Sequence, residues 1–320
     1  AFIQALGQNP GVETLLQELG PQAHVYVGTG IGNLHTIYDA SIKLHESQQR
    51  WTAFWAGRET ELDEYLAELA RIDSMAIEGD IAAGKLHAIR EKEKSRTRLQ
   101  QKWQAPEPPW NVSAKVIWNI PNTPAAQISI LGKITGMTFA PVAACSTFGV
   151  GLRLAMSAIR AGDARAVVVG ATDPPPHPLT VGSFYNARVL SADRRLSAPL
   201  TRLQGTHVAG GAVVWIVGDM DYMTARGFTP LGMEPVGVGV SSDADHIITP
   251  SPDGPRAAVR EALAGAGVGP DSIGSWDLHA TATPGDYSEM TTLRSQFPET
   301  LLVTARKGTF GHGMSSGGVW

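Results

Sequence analysis

The chain has 320 residues, of which 43% are apolar, and a formal net charge of −4 at pH 7. These totals are typical of an ordinary globular protein with one large core or two smaller ones, and the negative balance gives no reason to expect a nucleic-acid partner. No apolar run approaches the length of a membrane span. A single cysteine excludes an internal disulfide, and no paired Cys/His spacing suggests zinc. A reducing, cytoplasmic compartment is therefore expected.

In chain order, short apolar and β-branched runs predict strands at residues 24–30, 164–172, 209–218, 234–242, 275–281 and 300–306. Helical patterns lie between several of these runs, at residues 151–161, 253–266 and 286–297. Strands that alternate with helices indicate an α/β fold with a sheet covered on both faces.

One segment differs from the rest because charged residues dominate it. From about residue 57 to 104, apolar residues recur at helical spacing among dense charges, and Gly79 and Gly84 indicate a break between two helices. We interpret the segment as solvated helices that lie mostly outside the main body, and the alternative is a docking surface for a partner. The stretch "QAPEPPW" (104–110) then predicts a stiff, extended linker that returns the chain to the main body.

The glycine cluster "GTGIGNL" (28–34) does not predict a nucleotide site. Its glycines do not follow the G-x-G-x-x-G spacing, and the chain has no Walker A lysine motif. We interpret these glycines as close backbone approaches and turns.

Four chemically reactive side chains lie at the ends of predicted strands or before a predicted helix. Cys145 lies just ahead of the helix at 151–161, where the partial positive charge of a helix N-terminus favours a thiolate. His279 follows one strand, and Lys307 and His312 follow another on a glycine-rich loop. Each residue alone has a structural explanation, but α/β folds place catalytic groups at such positions.

Several motifs, in this order along the chain, resemble the β-ketoacyl-acyl carrier protein synthases, the decarboxylating Cys-His-His type of the thiolase superfamily. The matching stretches cover nearly everything outside the charged segment: "VYVGTGIGNL" (25–34), the interface strand and nucleophile turn within 120–173, "ARVLS" (187–191), "HATAT" (279–283) and "KGTFGH" (307–312). Against the family pattern, Ala280 replaces a glycine, and Ile248 with Thr249 replaces a threonine that contacts pantetheine.

The resemblance implies a role for each reactive residue. Cys145 is expected to accept the acyl chain as a thioester, and His279 and His312 to stabilise the enolate formed when a malonyl thioester loses CO₂. Lys307 is expected to order the site through its charge together with Glu289, a structural residue of the site. Thr281 and Thr283 are expected to contact the phosphopantetheine arm.

The resemblance also implies a fold and partners. We expect a thiolase-like five-layered αβαβα fold of two similar halves, 1–219 with the charged insert at about 57–104, and 220–320. Acyl carrier protein brings the substrates on its phosphopantetheine, and no cofactor or metal of the enzyme's own is implied. A homodimer is expected to form through the strand near Met137–Val142.

The implied function is an acyltransferase, a 3-oxoacyl-ACP synthase of fatty-acid synthesis. Two alternatives stay open: a ketosynthase of polyketide or other specialised synthesis, and a non-catalytic partner subunit, although such a subunit is expected to lack the cysteine or a histidine. The family's first strand and its final glycine-rich loop have no counterpart before Ala1 or after Trp320. The sequence is therefore expected to be a piece of a longer protein.

Overall fold

The computed structural model of the chain describes residues 1–77, 84–192, 197–246 and 251–319. Gly79, Ile248 and Thr249 lie outside the described residues. The chain divides into two compact units, which we call the body (Ala1–Leu34 and Ile120–Trp320) and the helical insert (His35–Asn119). The insert therefore extends beyond the predicted bounds of 57 and 104 at both ends.

The helices of the described residues, in chain order, are α1 (Phe2–Gln8), α2 (Val12–Glu18), α3 (Leu34–Trp55), α4 (Glu59–Asp73), α5 (Gly84–Trp103), α6 (Thr123–Gly132), α7 (Thr147–Ala161), α8 (Pro178–Asn186), α9 (Met220–Thr224), α10 (Asp253–Ala266), α11 (Gly285–Arg294) and α12 (Lys307–Phe310). The strands are β1 (Ala23–Gly28), β2 (Thr138–Phe139), β3 (Ala166–Asp173), β4 (Gly211–Gly218), β5 (Ser275–Asp277) and β6 (Leu302–Thr304). Within these ranges, no helix combines the length and apolar character of a membrane span.

The main sheet of the body has the strand order β2-β1-β3-β4. β1 runs parallel to both of its neighbours, and β3 pairs with β4 in the antiparallel sense. In this sheet β2 lies at an edge, beside β1 alone. The carboxyl ends of β1 and β3 therefore meet at one side of the sheet, where parallel strands commonly present functional loops.

The central strands β1 and β3 are buried on both faces, which explains why they read as continuous apolar runs. Val25 of β1 and Val168 of β3 face one core, which α1, α2 and α6 complete with residues such as Leu16. Tyr26 and Val169, one position further along each strand, face a second core formed with α7. Alternation along each strand thus places helices on both sides of the sheet.

A second, smaller sheet pairs β5 with β6 in parallel, with Trp276 opposite Val303. Its core contains Val259 from α10 and Leu293 from α11. The strand predicted at 234–242 is wrong, because the described residues of that segment form no ladder. Side chains bind its backbone instead: Arg153 donates to the carbonyl of Val238 (3.0 Å), and Glu261 accepts from the amide of Val240 (2.8 Å).

The helical insert has its own aromatic core, formed by Trp51, Trp55, Tyr65 and partly buried Trp103. The rings of Trp51 and Tyr65 pack edge to face, with centroids 5.6 Å apart. The predicted helices are confirmed as α4 and α5, and α3 precedes them. Only some of the apolar residues in these helices are buried, since Leu66, Leu86 and Ile89 are exposed.

Candidate active site

Cys145 lies in a short turn, Ala144–Ser146, which leads directly into α7. Ala144 has φ of +47°, a conformation that non-glycine residues rarely adopt. The fully buried hydroxyl of Thr147 secures this turn, since it accepts from the amide of Ala143 (3.0 Å) and donates to the carbonyl of Ala144 (2.7 Å). The strained turn thereby presents the sulfur in front of the helix.

The end of β1 lies directly against this turn, and only glycine fits there. A Cβ atom added to Gly28 would lie 2.0 Å from the carbonyl oxygen of Pro141 and 2.5 Å from the methyl group of Thr147. The first glycine of "GTGIGNL" thus serves a close backbone approach, as the sequence predicted.

His312 lies beside the sulfur, with its Nε2 atom 3.2 Å from Sγ of Cys145. The other ring nitrogen, Nδ1, accepts a hydrogen bond from the amide of Met314 (3.0 Å). A neutral imidazole that accepts through Nδ1 carries its proton on Nε2. His312 therefore directs an N–H group at the sulfur and at any carbonyl bound next to it.

His279 completes the cluster from the end of β5. Its ring packs edge to face on that of His312, with centroids 5.3 Å apart. One ligand atom from each of Cys145, His279 and His312 lies within 4.8 Å of the others. The structure thus brings together the three residues that the sequence singled out. Cys145 is 134 positions from His279 along the chain and 167 positions from His312.

Glu289 of α11 holds the backbone of the first histidine. Its two carboxylate oxygens accept from the amides of His279 (2.7 Å) and Ala280 (2.8 Å). Lys307, buried at the start of α12, makes no ion pair within 4.0 Å among the described residues. Its charge still acts on Glu289 and on Cys145 at longer range, so the pair expected from the sequence is a charge interaction without direct contact.

Thr281 and Thr283 lie on the loop between β5 and α11, half-buried, with their hydroxyl oxygens 3.1 Å apart. This loop is held by the carboxylate of Asp286, to which the sequence analysis assigned no role. Asp286, 1% exposed, accepts from the amides of Thr281 (2.8 Å) and Leu200 (3.0 Å). Asp286 therefore fixes the loop that carries both hydroxyls.

Electrostatics in the cluster oppose charge on the imidazoles. Burial, then the charge of Lys307, lowers the pKa of His312 to about 4. His279 is exposed as a residue, but its ring lies among protein atoms, and desolvation followed by Lys307 lowers its pKa to about 3. Both rings are therefore neutral at pH 7.

The thiol behaves differently from the expectation based on the helix alone. Burial raises the pKa of Cys145, and this effect exceeds the lowering caused by the positive charge of Lys307. The predicted effect of the helix N-terminus, which favours the thiolate, is therefore outweighed by burial. Lys307 is itself affected, since burial lowers the pKa of its ammonium group.

Sequence reasoning also missed Asp173, the last residue of β3. It is 4% exposed, and its carboxylate accepts hydrogen bonds from the turn after β1 and from Ser315, near His312. The available indication was an acidic residue that ends an otherwise apolar strand, "AVVVGATD".

The sulfur and the two imidazoles are also donor types that bind Zn²⁺. The charge of Lys307 acts on Cys145, His279 and His312 alike and opposes a second cation among them. The arrangement fits a nucleophile beside two hydrogen-bond donors better than a metal centre.

Comparisons with known proteins identify the family of the chain. Family models described as the N-terminal and C-terminal domains of beta-ketoacyl synthase match residues 63–220 and 234–320. A Staphylococcus aureus protein named 3-oxoacyl-[acyl-carrier-protein] synthase 2 is 30% identical over 203 residues, which are 60% of this chain and 50% of the relative. The chain thus spans about half the length of the curated relatives it matches.

Two solved structures share the fold. The ishigamide ketosynthase/chain length factor has a TM-score of 0.66 at 19% identity and covers 93% of this chain and 60% of its own. A ketosynthase in complex with its type II polyketide synthase acyl-carrier protein has a TM-score of 0.62 at 19% identity, over 72% of this chain and 59% of its own. These likenesses concern the fold, and they confirm the predicted thiolase-like α/β class.

Proposed function

Because the chain belongs to the β-ketoacyl synthase family, we propose that it performs the decarboxylative Claisen condensation of a cysteine-bound acyl group with malonyl-acyl carrier protein. The observation that carries this proposal is the cluster of one thiol and two neutral imidazoles, with Nε2 of His312 3.2 Å from Sγ of Cys145. Neutral imidazoles are donors for a developing oxyanion, and a thiolate forms an acyl-enzyme.

In the first half-reaction, the Cys145 sulfur loses its proton and attacks the carbonyl carbon of an acyl thioester. The new carbon–sulfur bond forms as the carrier thiol leaves with a proton. Burial disfavours the thiolate, and the charge of Lys307 partly offsets this effect. The N–H of His312 reaches the sulfur and stabilises its negative charge.

In the second half-reaction, a malonyl thioester occupies the same site. Its carbon–carbon bond breaks, CO₂ leaves, and the electron pair forms an enolate whose oxygen accepts hydrogen bonds from His279 and His312. The enolate carbon then attacks the acyl carbonyl on Cys145. Collapse of that intermediate expels the Cys145 thiolate and leaves a β-ketoacyl group on the carrier.

The experiment distinguishes the role of the thiol from the roles of the two histidines and uses the complete protein. Cys145→Ala is expected to abolish condensation, because no acyl-enzyme forms, and to retain some malonyl decarboxylation. Loss of one donor in His279→Ala or His312→Ala is expected to slow decarboxylation by about 10²–10³-fold while Cys145 still becomes acylated. Labelled CO₂ release and mass spectrometry of the enzyme report the two steps.

The matched control is His45→Ala, which removes an exposed histidine of the helical insert. It is expected to leave both steps unchanged. Normal decarboxylation by His312→Ala would contradict the role of that ring. Loss of both activities in a folded Cys145→Ala variant would show that the thiol does more than carry the acyl group.

The proposed condensation could serve either of two biosynthetic pathways. Fatty-acid synthesis is our first proposal, supported by the relative named as an acyl-carrier-protein synthase. Polyketide or other specialised synthesis is the second, supported by the fold shared with a polyketide ketosynthase. The acyl chains that load Cys145 from a mixed pool of acyl-carrier thioesters distinguish them, and retention of Cys145 argues against a non-catalytic subunit.

We propose acyl carrier protein as the partner that delivers both substrates, with no further cofactor, in the cytoplasm. Thr281 and Thr283 offer paired hydroxyls to its phosphopantetheine arm. Thr283→Val is expected to raise KM for malonyl-acyl carrier protein several-fold with little change in kcat, because the contact is made equally in the ground state and the transition state.

The proposed homodimer uses the edge strand β2. Met137 and Val142, at either side of it, are 54% and 60% exposed, and Ile130 and Leu131 of the adjacent α6 are exposed as well. An apolar sheet edge of this kind is typically covered by a second chain. Light scattering is expected to give a dimer for the complete protein and a monomer for Val142→Asp.

A further inference from the structure

Asp173 ends β3 with a carboxylate that binds two separate loops. Oδ1 accepts from the hydroxyl of Thr29 (2.9 Å) and from the amides of Gly30 and Ile31 (both 3.0 Å). Oδ2 accepts from the amide of Ser315 (2.8 Å) and also from its hydroxyl. One side chain therefore joins the glycine turn after β1 to the turn that follows His312.

This carboxylate lacks the usual partner of a buried acid. Asp173 is 4% exposed, and among the described residues no lysine or arginine lies within ion-pair distance of it. A buried charge is costly unless its hydrogen-bonding capacity is satisfied, and here backbone amides and hydroxyls alone satisfy it. Such a cluster of donors holds both loops firmly, because hydrogen bonds to a charged acceptor are the stronger kind.

The second loop controls the orientation of the catalytic ring. Nδ1 of His312 accepts from the amide of Met314, the residue immediately before Ser315. Met314 has φ of +50°, which a side-chain-bearing residue adopts only when its surroundings hold it there. The bond from Ser315 to Asp173 is the adjacent contact that can hold this conformation.

We propose that Asp173 is a positioning residue: by clamping the His312–Ser316 turn to the Thr29–Ile31 turn, it keeps the amide of Met314 on Nδ1 and thereby the proton of His312 on Nε2. The inference rests on the proposed function for its kinetic consequence. The tautomer itself is a property of the resting protein.

The charge of Asp173 supports the same assignment. It raises the pKa of His312 and of Cys145, whereas Lys307, from α12 on another side of the site, lowers the pKa of both. Among the described residues, the ring of His279 and the thiol of Cys145 also face His312. Loss of the Asp173 charge is therefore expected to lower the pKa of the thiol, an effect opposite to that of losing Lys307.

The test compares three variants. Two of them each remove one hydroxyl that binds the carboxylate of Asp173, and the third replaces this carboxylate with a neutral amide of the same shape. The variants are Ser315→Ala, Thr29→Val and Asp173→Asn, each in the complete protein with ¹⁵N-labelled histidine. NMR reports the tautomer of His312, identified by the resonance that His312→Ala lacks. Circular dichroism and thermal unfolding establish that each variant is folded.

The wild type is expected to show His312 protonated at Nε2. Asp173→Asn is expected to give a mixture of tautomers, a fall in malonyl decarboxylation of about 10- to 100-fold in kcat with KM little changed, and a lower pH midpoint for Cys145 alkylation. Ser315→Ala is expected to show a smaller change of the same kind. Thr29→Val, at the far end of the carboxylate, is expected to keep the wild-type tautomer.

A folded Asp173→Asn variant with the wild-type tautomer would overturn the proposal. Equal effects of Ser315→Ala and Thr29→Val would also overturn it, since they would indicate general loosening. If Asp173→Asn does not fold, the contrast between the two hydroxyl variants decides. A wild type that does not decarboxylate malonyl thioesters would refute the proposed function, while the tautomer would still decide the role of Asp173.

Discussion

Replacing Gly28 by alanine is expected to separate the effect of the nucleophile turn's position from that of its chemistry. The new Cβ would lie 2.0 Å from the carbonyl oxygen of Pro141, and such contacts essentially never fall below 3.0 Å. The backbones of Gly28 and Pro141 must therefore separate by at least the difference of 1.0 Å between these two values, and Pro141 lies on the segment that leads into Cys145. No reactive group is altered, so any loss of activity reports displacement alone.

A shift of about 1 Å at a reacting atom commonly lowers a rate by about 10²-fold, and overpacking of a buried contact costs about 1–3 kcal/mol of unfolding free energy. We therefore expect Cys145 acylation in Gly28→Ala to be slower by about two orders of magnitude, with a modestly lower Tm. Mass spectrometry of the acyl-enzyme over time, on protein whose fold is checked by circular dichroism, measures the rate.

The control is Gly182→Ala, the same chemical change on exposed helix α8, where an added Cβ meets nothing within 4 Å. It is expected to acylate at the wild-type rate with equal or higher stability, because alanine is the better helix former. A folded Gly28→Ala variant that acylates as fast as this control would refute the reasoning from the close approach.

Three further expectations concern ionisation, packing and the insert. Because burial raises the pKa of Cys145 and the charge of Lys307 opposes this, iodoacetamide should alkylate the thiol with a pH midpoint above that of a free cysteine, and Lys307→Met should move the midpoint higher; a midpoint unmoved by the variant would exclude the charge interaction. Tyr65→Ala, at a 2% exposed core position, should cost the insert about 3–5 kcal/mol in denaturant unfolding followed by tryptophan fluorescence. The exposed neighbour Leu66→Ala should cost under about 1 kcal/mol, and equal losses would contradict the assigned core. Replacing residues 35–119 with a short Gly/Ser bridge should leave Cys145 acylation largely intact, and its loss in a folded body would place the insert in the active site.

The residues that carry the chemistry could be predicted because their order along the chain is specific. The helix at 253–266 has the predicted bounds, since its start and stop residues are local features of the sequence. The cluster of Cys145, His279 and His312 also follows from the motif order. Local pattern and family motif together thus sufficed for the fold class and for the convergent site.

What could not be predicted depends on contacts between distant segments. The run at 234–242 has strand composition, but side chains of α7 and α10 bind its backbone, so no ladder forms. The sign of the Cys145 pKa shift depends on burial by the folded chain, which the adjacent helix does not reveal. Asp173 reads as a loop residue until the turns 142–144 positions away come to lie on it.

Peroxide and simple electrophiles react with thiolates and hardly at all with thiols. Since burial keeps the resting Cys145 protonated, the unliganded protein is expected to resist oxidation to sulfenic acid during oxidative stress, without a disulfide to protect it. The same protection bears on inhibitor design. A compound that carries only an electrophile would encounter an unreactive thiol. A compound whose carbonyl first accepts hydrogen bonds from the two imidazoles would mimic the substrate and place its electrophile beside the sulfur where the thiolate forms.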